Sequence, residues 1–310
     1  MGNTGDKSKN YENALLKIAK KNPKLIVMTA ENRALIRNSE KFLKERFIDT
    51  GINEQTLIGV ASGLATSGYI PVVHALAPFL TMRAFEFIRT NLANKELPVK
   101  LMGFIPGVLS DGNGFTHQAV EDIALMRSIP GMEIFTPSCE EDLTICLPAI
   151  ISSPYPAYVR LNHLPGNTRH SSLKKQTEIE ELQRGEDIAI LSYGYLSQKA
   201  YQAIRYISET HHINCGLLSI RKLKPLNFPH LSVLLEKYNK VIVLEDHLRY
   251  GGLRSALIEL LYDNDLPNKY KFVNIGDKYF KAGELNTVLT NLAFDTNSLT
   301  RLILSERTKN

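Results

Sequence analysis

The chain has 310 residues, of which 44% are apolar, 22% charged and 8% aromatic. This length allows two domains of about 150 residues, and the composition excludes a disordered chain, a collagen-like repeat and a disulfide scaffold. The 37 Lys and Arg residues against 32 Asp and Glu residues give a net charge of +5. The lysine clusters alternate with other residue types, so we predict solvated faces and no nucleic-acid partner.

Strand-like apolar runs alternate with helical patterns after a polar segment, residues 1–10, which we predict to be a flexible tail. The patterns predict strands at Leu25–Thr29, Ile70–His74, Val99–Phe104, Glu133–Phe135 and Ala157–Leu161, and helices at Asn53–Ser67, Met82–Ala93, Ala119–Arg127 and Glu140–Ile151. Such alternation is typical of a parallel sheet covered by helices on both faces. Residues 11–165 are therefore predicted to form the first α/β domain.

Residues 166–187 are polar and contain no long apolar run, so we predict that they form a linker. The alternation then resumes. It predicts strands at Ile188–Ser192, Cys215–Ser219, Lys240–Leu244 and Lys271–Asn274, and helices at Ser197–Ser208, Leu231–Lys237, Gly252–Tyr262, Gly283–Asn291 and Asn297–Ser305. Residues 188–310 are therefore predicted to form a second α/β domain.

The segment 55–82 contains no Asp, Glu, Lys or Arg, as a membrane span would. Gly68 and Pro71 interrupt it, so we predict a buried helix, a turn and a buried strand instead, and no membrane partner. The cysteines Cys139, Cys146 and Cys215 are odd in number and form no CxxC motif. With no apolar leader after Met1, they predict a reducing, cytoplasmic location.

Three weaker patterns have ordinary structural explanations. Gly59 and Gly63 lie four residues apart on a predicted helix, which indicates close packing at a domain or subunit interface. Gly251–Gly252 opens a helix after a strand and is either an anion site or, more simply, a tight turn. The pair His211–His212 has no third ligand at metal-binding spacing, so we predict that it faces solvent.

The first stronger feature is Glu54, within Thr50–Gln55, at the start of the helix that opens the uncharged segment. One interpretation is an acid that complements the helix dipole, with Asn53 as the N-cap. The other is a carboxyl group in a dry site that shares a proton with a ligand nitrogen. The residues alone leave both interpretations open.

The second feature is the glycine-rich loop Ser110–Gln118, which follows a predicted strand and carries His117 at the entry to a helix. Ligands of parallel sheets bind at the carboxyl ends of strands, where this loop is expected. His117 is therefore either an acid, base or hydrogen-bond donor, or the capping residue of a structural turn.

Together these features resemble the C-terminal half of transketolase. The matching segments are Arg46–Gln55, Gly59–Gly68, Arg83–Glu86 with Ile88–Arg89, Gly114–Ala124, Arg127, Pro130–Met132, Pro137, Gly185 with Asp187, Glu245–Asp246 and Gly251–Leu253. The resemblance covers nearly the whole chain after the tail. It implies a pyrimidine-binding domain followed by a transketolase C-terminal domain, and thiamine diphosphate as the cofactor.

The resemblance also assigns roles to individual residues. Glu54 matches the acid that hydrogen-bonds the pyrimidine ring nitrogen, and the proton shared there promotes removal of the thiazolium C2 proton. Phe79 matches the aromatic residue that stacks on the pyrimidine, whereas Leu76 replaces a second aromatic residue beside it. Glu31 stands in the altered Ala30-Glu31-Asn32 segment near the cofactor. His117 matches the histidine beside the reacting carbonyl.

The resemblance also implies that part of the enzyme is supplied by a second polypeptide. The family holds the diphosphate through Mg²⁺ on a Gly-Asp-Gly segment in an N-terminal domain of roughly 270 residues, and this chain contains no Gly-Asp-Gly. The resemblance therefore implies an N-terminal partner subunit that carries the diphosphate and Mg²⁺ site. It also implies an α2β2 assembly with contact between the two β copies, and places no metal ligand in this chain.

The departures from the family fall on the substrate side. Asn113 replaces an Asp that contacts a donor hydroxyl, and Phe115 replaces a small residue or Pro. Ile105, a residue near Leu35 and His163 replace a His, a Ser and an Arg that bind the substrate phosphate. The resemblance implies transfer of a two-carbon ketol or acyl unit from a ketone donor to an aldehyde or ketone acceptor. The loss of these charge-assisted hydrogen bonds predicts that the acceptor is an unusual sugar. The ordinary pentose phosphates are not expected to be substrates.

Two alternatives remain at this point. The β subunit of a 2-oxoacid dehydrogenase has the same domain order and also uses a pyrimidine-side Glu. The Thr116–Gln118 loop and its continuation Val120–Asp122 fit transketolase better. A non-catalytic scaffold or regulatory paralogue is the second alternative, and the joint presence of Glu54, Phe79 and His117 argues against it.

Overall fold

The computed structural model describes residues 9–264 and 269–307, which form two α/β units, each on a mostly parallel sheet. Residues 1–8 of the predicted tail lie outside the described residues. Lys9 and Asn10, also predicted as tail, instead begin the first helix.

Seven strands form the first sheet, in the order β10-β5-β6-β4-β3-β1-β2. They are β1 (Leu25–Thr29), β2 (Phe47–Asp49), β3 (Ile70–Leu76), β4 (Lys100–Phe104), β5 (Glu133–Phe135), β6 (Ala157–Leu161) and β10 (Lys222–Lys224). All neighbours are parallel except β10, which pairs antiparallel with β5. The helices of this unit are α1 (Lys9–Lys21), α2 (Ser39–Leu43), α3 (Glu54–Thr66), α4 (Phe85–Phe87), α5 (Asp122–Arg127) and α6 (Glu140–Ser152). The residues of a buried strand such as β1 form a nearly continuous apolar run, because helices cover both faces of the sheet.

Five strands form the second sheet, in the order β12-β11-β8-β9-β7. They are β7 (Ile179–Gln183), β8 (Ile188–Tyr193), β9 (Gly216–Ile220), β11 (Lys240–Leu244) and β12 (Tyr270–Val273), with β7 antiparallel to β9. The helices are α7 (Gly194–His211), α8 (Phe228–Leu235), α9 (Leu253–Asp263), α10 (Leu285–Asn291) and α11 (Thr296–Arg307). The predicted fold class, two α/β domains with parallel sheets flanked by helices, is confirmed.

The predicted linker 166–187 is more structured than its polar composition indicated. It contains a 3₁₀ turn, Lys175–Thr177, and the strand β7. In β7, Ile179 and Glu180 are buried whereas the following residues are half-exposed. An edge strand of this kind carries few apolar residues, which is why the sequence pattern did not reveal it.

Helix α1 forms most of the lysine-rich N-terminal region. Tyr11, Leu15 and Ala19, spaced four residues apart, are fully buried against the first sheet. Lys17, Lys20 and Lys21 are exposed, as predicted for a solvated face, so the segment is an amphipathic helix.

The predicted helix Met82–Ala93 is irregular in the structure. The helical chain begins earlier, with a π-helical turn at Phe79–Arg83, and continues through α4, a second π-helical segment at Ile88–Leu92 and a 3₁₀ turn at Ala93–Lys95. Single-turn π-helical segments recur at functional sites. Among the described residues, no helix is long and apolar enough to cross a bilayer.

Buried ion pairs join the two units. Arg160 on β6 donates to Asp122 at 2.9 Å and to Asp246, after β11, at 2.6 Å, and all three side chains are almost fully buried. Gly107 has a φ of +59° and lies so close to this group that a Cβ would overlap the Asp246 carboxylate. The backbone therefore needs glycine where the units meet.

Candidate functional site

The predicted site residues lie at one edge of the first sheet. Glu31 follows β1, Glu54 follows β2, Phe79 follows β3, Ile105 follows β4 and His163 follows β6. These five strands are parallel, so their carboxyl ends meet at the same edge, which is where α/β folds bind ligands.

Glu54 is the first residue of α3, and Asn53 before it is the N-cap, as predicted. The Asn53 side chain accepts a hydrogen bond from the Thr56 amide at 3.0 Å, as expected for an N-cap. The Glu54 carboxylate is therefore free for another partner. It is 2% exposed and accepts a 2.8 Å hydrogen bond from Arg83 Nη1.

Phe79 and His117 complete a compact cluster with Glu54 and Arg83. The Arg83 Cζ lies 4.2 Å from the centroid of the Phe79 ring, and the His117 ring meets Phe79 edge-on at 5.0 Å between centroids. Thr116 Oγ1 is 2.9 Å from His117 Nδ1, which holds the imidazole orientation. The structure therefore brings together Glu54, Phe79 and His117, three residues predicted from separate segments.

The loop that carries His117 is held by the second unit. The Gln118 side chain donates to the Phe280 carbonyl at 3.1 Å, and the Gly283 amide donates to the Asp111 carbonyl at 3.0 Å. The ring of Phe115, which is 66% exposed, lies 6.1 Å from the ring of Tyr279. Sequence reasoning missed the segment 279–283, because it carries no motif and reaches the loop only through the tertiary fold.

The remaining substrate-side residues offer little positive charge. Asn113 is exposed in the loop, and Ile105 adopts a left-handed φ of +48° after β4. His163 packs against Phe104 at 5.1 Å between ring centroids, and its Nδ1 is buried without a partner. Burial lowers the pKa of His163 below its usual value, so the ring is neutral near neutral pH.

Glu31 lies in the loop after β1, and Leu76 is the last residue of β3. Glu31 is exposed, has a φ of +62°, and donates its amide to Asp49 Oδ1 at 3.0 Å. Leu76 is half-buried at the end of β3. Both lie at the predicted edge of the sheet, at the carboxyl ends of β1 and β3.

Within the described part of the chain, one group of side chains outside this edge has the spacing of a metal site. The ligand atoms of Asp142, His170 and Glu180 lie within 4.8 Å of one another. The guanidinium of Arg221 occupies this group, however, pairing with Asp142 at 2.6 Å and lying 3.8 Å from Glu180. A permanent cation already balances these carboxylates, so we interpret the group as structural.

The weaker patterns also have structural outcomes. His211 and His212 are exposed, as predicted. The helix N-terminus after Gly251–Gly252 is filled by the Glu245 carboxylate, which accepts hydrogen bonds from the amides of Leu253 at 2.6 Å and Arg254 at 3.1 Å. A carboxylate of the chain thus occupies the place where an external anion would bind.

The donor set suits an aminopyrimidine ring. An aminopyrimidine needs a polar group that hydrogen-bonds a ring nitrogen and an apolar surface that packs against the ring plane. The buried carboxylate of Glu54, whose partner Arg83 is exposed to solvent, lies beside the aromatic ring of Phe79. Glu54 and Phe79 are the residues that would hold it.

Comparison with known proteins agrees with this geometry. The sequence-family model of the transketolase pyrimidine-binding domain matches residues 6–165. The family model of the transketolase C-terminal domain matches residues 177–298. These two matches cover most of both α/β units. The chain belongs to the transketolase family, whose pyrimidine-binding domain implies dependence on thiamine diphosphate.

Individual relatives match along nearly their whole length. A protein of Methanocaldococcus jannaschii described as a transketolase C-terminal section is 29% identical, with 97% of this chain and 96% of that protein covered. The 6-deoxy-6-sulfo-D-fructose transketolase subunit SqwH of a Clostridium species is 30% identical, with 88% and 85% covered. A solved structure of a split gene transketolase in an inactive beta4 tetramer superposes with a TM-score of 0.84 at 28% identity, covering 97% of this chain and 98% of that one.

Proposed function

We propose that the chain is the pyrimidine-side subunit of a heteromeric, thiamine diphosphate-dependent transketolase. The enzyme would transfer a two-carbon ketol or acyl unit from a ketone donor to an aldehyde or ketone acceptor. The observation that carries this proposal is the cluster of Glu54, Phe79 and His117 at the carboxyl edge of the first sheet. When bound, the cofactor supplies a carbon nucleophile and an electron sink for cleavage of the carbon–carbon bond.

Each residue of the cluster has a distinct task in this proposal. Glu54 binds the pyrimidine ring nitrogen and holds a proton there, because its carboxylate is shielded from water. Phe79 packs against the ring plane, with Leu76 and Glu31 beside it. His117 reaches the reacting oxygen of the substrate, where it donates or accepts a hydrogen bond as charge develops.

A partner subunit is the second part of the proposal. The chain has no Gly-Asp-Gly segment, so the diphosphate and Mg²⁺ would be held by an N-terminal transketolase subunit in an α2β2 assembly. The similarity to a split gene transketolase supports this arrangement. Gly59 and Gly63 on α3 have open space beside them in this chain, which leaves room for the expected contact between two β copies.

The substrate is proposed to be an unusual sugar. His163 is neutral and Ile105 is apolar at the positions where the family places phosphate ligands, and Asn113 replaces a carboxylate. A similar subunit is named for the 6-deoxy-6-sulfo-D-fructose transketolase, which supports a substrate outside the pentose phosphates.

Reconstitution tests the proposal. The chain should be purified alone and together with the product of a neighbouring reading frame that encodes roughly 270 residues with Gly-Asp-Gly. We expect two-carbon transfer with Mg²⁺ and thiamine diphosphate from the mixture and none from either subunit. Turnover by this chain alone would refute the split enzyme, and lipoyl-dependent acyl transfer would favour a 2-oxoacid dehydrogenase.

A further inference from the structure

The side chain of Arg83 contacts two cofactor-binding groups at once. Its Nη1 donates to Glu54 Oε2 at 2.8 Å, and its Cζ lies 4.2 Å from the centroid of the Phe79 ring. A guanidinium is planar and carries several N–H donors, so it can stack on an aromatic ring while it pairs with a carboxylate.

An aminopyrimidine would need these same contacts. It too is planar, packs against an aromatic side chain and hydrogen-bonds a carboxylate. Arg83 and the cofactor ring therefore compete for Glu54 and Phe79. We propose that the Arg83 side chain acts as a latch: while the cofactor is absent it occupies Glu54 and Phe79, where the pyrimidine would bind, and it rotates away when the ring binds. This inference rests on the proposed function.

The burial of Glu54 explains why a latch is needed. Its side chain is 3% exposed, and an ionised carboxylate at this depth is costly without a partner. Before the cofactor arrives, Arg83 supplies the compensating charge. A pyrimidine ring that takes Oε2 of Glu54 and this face of Phe79 displaces the guanidinium from both.

The surroundings of Arg83 allow this exchange. The side chain is 43% exposed, so the guanidinium can move into solvent. Its backbone is held at the end of the π-helical turn Phe79–Arg83, and the Gln55 side chain donates to the Arg83 carbonyl at 3.4 Å. The exchange therefore needs rotation of the side chain and no rearrangement of the main chain.

Cofactor affinity in the assembled enzyme tests the latch. Wild type and the R83L, R83K and R89L variants, each assembled with the N-terminal subunit, should be titrated calorimetrically with thiamine diphosphate in Mg²⁺. If Arg83 is paired with Glu54 in about 90% of the free enzyme, R83L should bind thiamine diphosphate about tenfold more tightly than wild type. R83K, which keeps the charge but not the planar stack, should fall between R83L and wild type.

R89L is the matched control, because Arg89 is exposed and pairs with Glu86 on the same helical segment. Its affinity should equal that of wild type. Unchanged or weaker binding by R83L would overturn the latch while leaving the proposed function intact. Absence of binding by wild type and R83L alike would refute the proposed function, and the competition with it.

Stability of the isolated chain provides a readout that needs no cofactor. R83L should lower Tm by ~3 °C, because it leaves Glu54 buried without its counter-charge. In an E54Q background the same substitution should lower Tm much less, since the charge to be compensated is gone and only the contact with Phe79 is lost. An equal loss in both backgrounds would show that Arg83 acts through other contacts, and would overturn the latch.

Discussion

A buried glutamate lies at a helix N-terminus in each unit of the molecule. Glu54 begins α3 in the first unit, and Glu245, after β11, faces the start of α9 in the second. Their side chains are almost equally shielded, with residue exposures of 2% and 1%. They differ in what satisfies the carboxylate.

Backbone amides satisfy Glu245, whereas a side chain satisfies Glu54. The amides of Leu253 and Arg254 cannot leave Glu245 without unwinding α9, so this position is closed to ligands. Arg83 can leave Glu54 by rotating into solvent. Similar α/β architecture therefore holds the Glu245 carboxylate permanently on backbone amides, whereas it pairs Glu54 with a side chain that can be displaced. Only the second arrangement suits a cofactor.

The largest expected effect is a difference in enzyme activity between variants of Glu54 and Glu245. E54Q should lower turnover of the reconstituted enzyme by about 10³- to 10⁴-fold, because the proton held at the ring nitrogen is lost. E245Q should stay within about tenfold of wild type, assayed well below its Tm. Subunit assembly, followed by size-exclusion chromatography, should be normal for both variants. An E54Q enzyme that kept a tenth of its turnover would contradict the assignment.

A second difference concerns pH. Burial raises the pKa of Glu245 to about 7, against hydrogen bonds from α9 that lower it. A group with a raised folded-state pKa stabilises the protein fully below its unfolded pKa, near 4.5, and this contribution is lost as pH rises through 7. The contribution is on the order of 3 kcal/mol.

The check is urea unfolding of wild type and E245Q between pH 4.5 and 8. The difference in unfolding free energy between the two proteins should change across this interval, with wild type losing more stability as pH rises. Parallel curves for the two proteins would mean that Glu245 titrates normally.

The glycines near the two glutamates give a third, smaller contrast. A Cβ on Gly252 would overlap the Glu245 carboxylate, whereas Gly63 on α3 has open space. G252A should therefore lower the free energy of unfolding by about 1–3 kcal/mol. G63A should raise it by about 0.5–1 kcal/mol in the isolated chain, through the higher helix propensity of Ala. A destabilised G63A would mean that this face of α3 is already packed.

The smallest effect is expected at the contact between the His117 loop and the second unit. F115A removes an exposed ring that lies against Tyr279. We expect an acceptor KM about threefold higher with kcat nearly unchanged, and a stability change within about 0.5 kcal/mol. Y262A, at an 85% exposed ring, is the control and should alter neither constant. A lower kcat with constant KM would instead place Phe115 in the chemical step.

Much of this arrangement was predictable from sequence. The bounds of β1, β5, β6 and β11 agree with the predicted strands, because strands buried on both faces consist mostly of apolar residues. The resemblance also grouped Glu54, Phe79 and His117, which the fold brings to one edge.

The rest depends on contacts between distant segments. The edge strand β10 consists of Lys222, Leu223 and Lys224, which alternate as a short edge strand does but are too few to form a pattern. The position of Arg83 over Phe79 depends on a π-helical turn that apolar spacing does not encode. The support of the His117 loop by residues 279–283 likewise appears only when the two units are packed together.

Strand β10 also limits where a gene for this protein could be divided. It lies beyond residue 220 yet forms the edge of the first sheet next to β5, and Arg221 beside it neutralises Asp142 of the first unit. A chain that ended between residues 166 and 178 would lose both its edge strand and this counter-charge. The two units are therefore interleaved and not serial modules, and a cut between them would produce two incomplete folds.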